Sequence, residues 1–234
     1  STAWAALMLA PLFAGAEVVL GYSPYQTDNS WLGRWQAFET DYTALQYLGF
    51  AQIGRPYMGV GRNLAYRKSF FERAGGFEGH AQLPGGDDDL LISQNASGKS
   101  TEVQIQNKAW TWSKPAQNWK EYWLRKRRHL SVGSHYPAPV KWLLAGLALS
   151  HGLHYLLGFT LLLSGQWLLV TLAYLLRIVA VFFSYRHALN RFSADKKTGR
   201  QFELPFFDAG LCFYYLFNLW ATILLLPKNE WENR

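Results

Sequence analysis

The sequence predicts an α/β domain followed by an all-α membrane module. Three observations carry that reading. Half of the 234 residues are apolar, yet mean hydropathy is only -0.09, so a polar part and a greasy part offset each other. Between Lys141 and Arg177 there is no Asp, Glu, Lys or Arg for 35 residues, 142 to 176, and a second such gap of 19 residues runs from Ala209 to Pro227. The first 139 residues instead alternate short apolar runs with turn formers, as at Gly21, Pro24, Gly54, Pro56, Gly75-Gly76 and Pro84-Gly85-Gly86, the pattern of mixed helices and strands with short connections. The lone cysteine, Cys212, excludes an internal disulfide and a cysteine-based metal cluster.

The elements follow in order. Trp4 to Phe13 and Trp31 to Phe50 place apolar residues every three to four positions and read as helices. Between them, Glu17 to Tyr22 is a strand, Val-Val-Leu ending at glycine. Asn63 to Tyr66 is a second strand and Lys68–Ala74 a short helix. Asp88 to Ala96 has helical periodicity, Glu102–Ile105 reads as a third strand, and Trp119 to Leu130 is a basic, aromatic helix. Residues 1–139 form the α/β part and 140–234 the membrane module, with helices at about 141–163, 167–186 and 208–226. A bilayer-spanning helix needs about 20 mainly apolar residues. The first gap therefore holds most of a two-helix hairpin turning at Ser164-Gly165-Gln166, and the third span is weaker. Arg177 is expected to face the bundle or snorkel, and His151 and His154 to pack or hydrogen bond within it. The run from Arg186 to Arg200 reads as a cytoplasmic loop under the positive-inside rule. Asn95-Ala96-Ser97 has the form of a glycosylation sequon, discounted on that topology. The chain starts at Ser1 in mid-unit, which predicts a fragment or a processed chain.

Three blocks carry candidate chemistry. In Pro56 to Lys68, Gly59 and Gly61 let backbone approach a ligand closely, beside the cations Arg62, Arg67 and Lys68. The spacing is not that of a dinucleotide fingerprint, since position 64 is Leu. In Gly85 to Leu91, the adjacent carboxylates Asp87, Asp88 and Asp89 repel one another, which raises a pKa if one is buried and suits a general base. The same residues equally suit a helix start, with an Asp cap and acids favoured by the dipole. In Trp119 to Leu130, Trp119 and Trp123 share a helical face with Lys126 and Arg127, a fit for a diphosphate and a ring-bearing substrate. A juxtamembrane helix touching anionic lipid is the other reading. The basic run is too short to favour nucleic acid.

These blocks, in this order, resemble the latter half of a family 2 glycosyltransferase of GT-A fold, of the bacterial kind with C-terminal transmembrane helices. The family's G-x-N-x-A-Y-R segment is matched by Gly61 to Arg67, and its Gly-Gly-Phe by Gly75 to Phe77. Its E-D-x-D-L motif is matched by Gly86 to Leu90, so that Asp87 stands at the base position with Gly86 for the Glu, and a one-residue shift makes Asp88 the base. A Q-x-x-R-W motif is matched by Arg125 to His129, with Arg for Gln, His for Trp, and Arg128 at the arginine near the donor diphosphate. That departure leans towards single rather than processive transfer.

The resemblance implies an inverting transfer of a sugar from a nucleotide diphosphate sugar to a hydroxyl of a lipid-linked or polysaccharide acceptor. It implies Asp87 or Asp88 as catalytic base, and substrate contacts from Gly59, Gly61, Arg62, Asn63, Asp89, Arg125, Arg128 and His129. A divalent metal, Mg or Mn, is expected on a D-x-D upstream of Ser1, with no ligand set in this chain, which is therefore expected to be inactive alone. The implied partners are donor, acceptor and membrane lipid, without nucleic acid, at the bacterial inner membrane with the catalytic part cytoplasmic. A non-catalytic membrane scaffold or transport subunit with a basic cytoplasmic domain is the alternative.

Overall fold

The computed structural model describes residues 2–26, 30–80, 83, 85–192 and 203–224. It is mostly helical, built around a small mixed sheet of three strands and followed by two long apolar helices. In chain order the elements are α1 (Thr2–Phe13), β1 (Val18–Gly21), α2 (Trp31–Gln52), β2 (Leu64–Tyr66), α3 (Lys68–Arg73), α4 (Asp89–Asn95), β3 (Thr101–Gln104), α5 (Trp119–Val132), α6 (Ala138–Leu163), α7 (Trp167–Phe192) and α8 (Leu204–Leu224). Each element expected from periodicity is present, with ends shifted by a few residues. The largest shifts are in α7, which runs on to Phe192, and α8, which starts at Leu204 instead of about 208.

The sheet order is β2-β1-β3. β1 pairs antiparallel with β2, Leu20 opposite Leu64, and parallel with β3, Gly21 opposite Gln104. As the central strand it is buried along its whole length, which explains its unbroken apolar run. Side chains alternate across a strand. Val18 and Leu20 therefore pack with Ala44, Tyr47, Leu48 and Ala51 of α2, and Val19 packs with Met8 and Leu12 of α1. Pro11 lies inside α1 and has no N–H to offer the Leu7 carbonyl one turn back. Gln104 of β3 donates to that carbonyl at 3.1 Å, so the proline ties the helix to the sheet.

α2 is the shared wall of the molecule. Ser30 caps it, its Oγ accepting from Gly33 at 2.9 Å. One face closes the sheet core. The other carries Leu32, Trp35 and Phe38 against Tyr122 of α5, Tyr185 of α7, and Leu204, Phe207 and Leu211 of α8. α6 and α7 are each 26 residues long, about 39 Å at the α-helical rise, and turn at Gly165 with φ 74°. Most of their leucines, with Phe159, Phe183 and Trp167, face outwards. Among the described residues these two helices alone are long and apolar enough to cross a membrane, and the apolar part of α8 is shorter. The expected loop from Arg186 to Arg200 lies largely outside the described residues, as does the end of the expected third span beyond 224.

One polar cluster joins the three C-terminal helices. Asp208 of α8 is buried and accepts from Arg177 at 2.7 and 3.0 Å and from Tyr155 at 2.6 Å. Arg177 also donates to His151 Nδ1 at 2.7 Å. His151 Nδ1 is therefore unprotonated, and its Nε2–H donates to the Asp208 carbonyl at 2.9 Å. Arg177 does face the bundle, and His151 hydrogen bonds within it. Replacing one member strands the other's charge. Asp208→Ala should cost about 3 kcal/mol of stability, and the double change Asp208→Leu with Arg177→Met should recover most of it. Unfolding midpoints in detergent micelles decide this. Equal losses in the single and double variants would show that the pair contributes nothing.

Candidate active site

The loops at the carboxyl ends of β1 and β3 meet the loop that enters β2, the place where open α/β sheets bind ligands. Asn63 holds that meeting together. Its Nδ2 donates to the carbonyls of Tyr22 at 2.7 Å and Ala109 at 2.8 Å, and its Oδ1 accepts from Trp4 at 2.9 Å. It is buried, with both ends of its amide committed to the scaffold. A Cβ on Gly21 would lie 2.4 Å from the Asn63 side chain, which is why β1 ends in glycine. The next residue back, Arg62, is oriented outwards by this anchor. Its guanidinium donates to the Ser23 carbonyl at 3.3 Å and stacks 4.7 Å over the Tyr25 ring.

The two glycines of the first block prove to serve the second. A Cβ on Gly59 would sit 3.0 Å from Ile92 of α4, and one on Gly61 3.0 Å from Asp88 Oδ2. Their close approach is to the acidic turn. Asp88 caps α4, Oδ1 accepting from the Asp89 amide at 2.9 Å while Oδ2 accepts from the Gly61 amide at 2.6 Å. Asp89 is buried, and its Oδ1 is buried without a partner. Burial first, then the charge of Asp88, holds its pKa well above the ordinary value. Asp87 alone is exposed, and among the described residues its carboxylate makes no hydrogen bond or ion pair. Gly86, with φ 96°, makes the bend possible, since a Cβ there would lie 2.9 Å from Leu90 and 3.0 Å from Val132.

α5 covers this turn. A Cβ on Gly85 would lie 3.5 Å from Arg128 Cγ, so the stem of Arg128 packs on the turn that leads into the acidic residues, and the side chain is exposed with its guanidinium unpaired among the described residues. Two other cations of the basic run are spent internally. Arg125 pairs with Glu121 and donates to the Lys114 carbonyl at 3.2 Å. Lys126 pairs with Glu39 of α2, which holds its charge on against burial. Tyr122 donates to the same Glu39 at 3.0 Å and accepts from Trp35 at 2.9 Å. Although its ring reaches solvent, His129 is held below the ordinary histidine value by partial loss of hydration, then by Lys126 and Arg128. Trp123 stacks with Trp119 and packs on Phe217 of α8, ring centroids 4.1 Å apart, so its face is taken by the protein.

The structure thus leaves Arg62, Asp87, Arg128 and His129 exposed, and puts Asn63, Asp88 and Arg125 to work holding the scaffold, with Asp89 buried beneath. Sequence reasoning missed Glu39 and Tyr25. Glu39 had a signal, an acid on a helix face otherwise made of Leu32, Trp35 and Phe38. No three His, Cys, Asp or Glu among the described residues converge as a metal site. The three Asp carboxylates point to three different surroundings and do not fit a divalent ion.

The family model for Glycosyl transferase family group 2 matches residues 4–226. The chain belongs to that family. Membership implies an enzyme of sugar transfer, acting on a sugar donor and an acceptor, and members often use a divalent metal. No curated protein and no solved structure matches the chain.

The raised pKa of Asp89 has a testable sign. The folded chain keeps this proton to higher pH than the unfolded chain does, so its contribution is full below the ordinary value near 3.8 and is lost as pH rises through the folded value. Asp89→Asn is neutral at every pH. Its unfolding midpoint should therefore fall less than that of the wild type between pH 4 and pH 8. Parallel pH curves for the two proteins would mean that Asp89 is not a buried neutral acid.

Proposed function

We propose that this chain is the acceptor-side half of an inverting GT-A glycosyltransferase, working at the bacterial inner membrane with its sheet on the cytoplasmic side. The donor is a nucleotide diphosphate sugar and the acceptor a lipid-linked or polysaccharide hydroxyl. The division at about residue 139, with α6 and α7 as spans, supplies the membrane anchor. The observation that carries the reading is the unequal fate of three adjacent carboxylates. Asp88 is consumed in holding the glycine loop and Asp89 is buried, which leaves Asp87 exposed, two residues from the Gly85 that Arg128 packs on.

In this reading Asp87 takes the proton of the acceptor hydroxyl as the oxygen attacks the anomeric carbon in line. The bond from that carbon to the diphosphate breaks, and its electron pair leaves with the diphosphate. Arg128 and Arg62 meet the charge that develops there. Asp88 keeps Gly59 to Gly61 close against the acidic turn, so the base and the two arginines stay in one frame. The outward helices keep the site near a lipid-linked acceptor, which raises its effective concentration.

In the full-length protein Asp87→Asn should lower turnover by about 10²–10⁴, the usual worth of a general base, with donor affinity retained. Asp88→Asn should weaken the glycine loop and fall less far. Wild-type turnover in both variants would remove the base assignment and favour a non-catalytic membrane scaffold. Arg128→Ala should lower kcat/KM for the donor about tenfold, roughly the worth of one charge-assisted contact, and Arg128→Lys should lose less. A donor kcat/KM unchanged in Arg128→Ala would place the diphosphate elsewhere.

A further inference from the structure

The turn from Gly61 to Asn63 is pinned along its backbone. The Gly61 amide donates to Asp88 at 2.6 Å, the Arg62 carbonyl accepts from the Thr111 hydroxyl at 2.8 Å, and the Asn63 side chain is tied to the carbonyls of Tyr22 and Ala109. The freedom that remains in this turn is that of the Arg62 side chain. A long side chain loses rotamer freedom when it is ordered, so its contacts must supply the order. Arg62 has two. Its guanidinium donates to the Ser23 carbonyl at 3.3 Å, beyond the usual length for such a bond, and it lies 4.7 Å over the Tyr25 ring. No further hydrogen bond engages that guanidinium among the described residues, so its other N–H groups are left for an anion.

Tyr25 is itself held firmly. It bridges Ser113 in parallel, with the Gln26 amide donating to the Ser113 carbonyl at 2.9 Å and the Ser113 amide to the Pro24 carbonyl at 3.2 Å. Its hydroxyl makes no hydrogen bond among the described residues. The scaffold uses the backbone of Tyr25 and leaves its ring to Arg62. We propose that Tyr25 is a positioning residue: its ring fixes the guanidinium of Arg62 where that group meets the donor's diphosphate. This rests on Arg62 serving the diphosphate. A guanidinium already lodged on a fixed ring needs no rearrangement when the leaving charge develops.

The test compares Tyr25→Phe, Tyr25→Leu and Arg62→Ala in the full-length protein. Arginine side-chain NMR in detergent micelles needs no substrate. The Arg62 Nε–H signal, identified by its absence in Arg62→Lys, should be shifted upfield by the ring current in the wild type and in Tyr25→Phe, and should lose that shift in Tyr25→Leu. An unchanged shift in Tyr25→Leu overturns the proposal. Tyr25→Leu keeps an apolar side chain at a half-buried position, so its unfolding midpoint should stay within about 2 °C of the wild type; a far larger fall would make the role structural and overturn the proposal. Turnover is read as release of nucleoside diphosphate from whichever of UDP-glucose, UDP-N-acetylglucosamine and GDP-mannose the wild type consumes. Tyr25→Leu should lower kcat about fivefold with donor KM within twofold, and Tyr25→Phe should keep the wild-type value. In an Arg62→Ala background Tyr25→Leu should add nothing; a further loss there would mean that Tyr25 acts on its own, against the proposal. If Arg62→Ala is impaired and Tyr25→Leu turns over like the wild type, positioning fails and the role of Arg62 stands. If Arg62→Ala is fully active, both fail together.

Discussion

Two carboxylates buried in the middle of α2 organise everything that faces the candidate site. Glu39 and Asp41 are two residues apart, so they leave the helix on nearly opposite sides. A buried carboxylate must find partners or give up its charge. Glu39 draws Lys126 and Tyr122, and so fixes the inner face of α5. Asp41 draws Tyr22 at the end of β1 and Tyr185 of α7, the latter at 2.8 Å. The helix that walls the sheet core thereby sets where the basic helix lies and where the second long apolar helix docks. Apolar contacts from Trp35 and Phe38 add area, but area is non-directional. The carboxylates supply register. Lys126 is consumed below, and Arg128 and Val132 are the residues of α5 that meet the acidic turn.

The same logic recurs in the C-terminal helices with the signs arranged differently. Asp208 is the buried charge there, and Arg177, His151 and Tyr155 answer it from two other helices. The two clusters are joined through α8, whose Phe207 packs on Trp31, Trp35 and Phe38 of α2 while its neighbour Asp208 points into the bundle. Adjacent residues of one helix thus bind the sheet-bearing part and the apolar hairpin to each other. Two parts that differ sharply in hydropathy are held by a helix with something to offer each of them.

Most of the fold was legible because its elements announce themselves by period. Val18 to Leu20 is continuous where a central strand is buried on both faces, and the charge-free run from 142 to 176 is long enough for a hairpin and little else. The roles within the site were less legible, for a physical reason. Glycines mark a close approach without naming what approaches. Gly59 and Gly61 were expected beneath a ligand, and they lie against Ile92 and Asp88. Asn63 stands inside a recognisable motif, but only the meeting of Tyr22, Ala109 and Trp4, up to 59 residues away in sequence, reveals that its amide is fully spent. Helix α8 was read from its charge-free stretch, which begins after Asp208. The structure starts it four residues earlier, because a charge paired in three dimensions no longer marks a boundary in one.

Three consecutive Asp residues illustrate why a motif is more than its composition. At a helix start, successive side chains leave the axis about 100° apart, so neighbours in sequence cannot share an environment. Asp88 folds back over the first amides, where any helix start favours an acid. Asp89 follows the helix inwards, where burial and the charge beside it favour the proton over the anion. Asp87 precedes the helix and is left outside. A single glycine with φ 96° lets the turn pack against Leu90 and Val132 while Asp87 stays exposed. No side chain could take the place of Gly86 without displacing Leu90 or Val132. The glycine is therefore tied to the packing of α5 on the acidic turn. One short segment provides a cap, a buried latch and an exposed carboxylate, and the chemistry proposed for the third depends on the first two holding still.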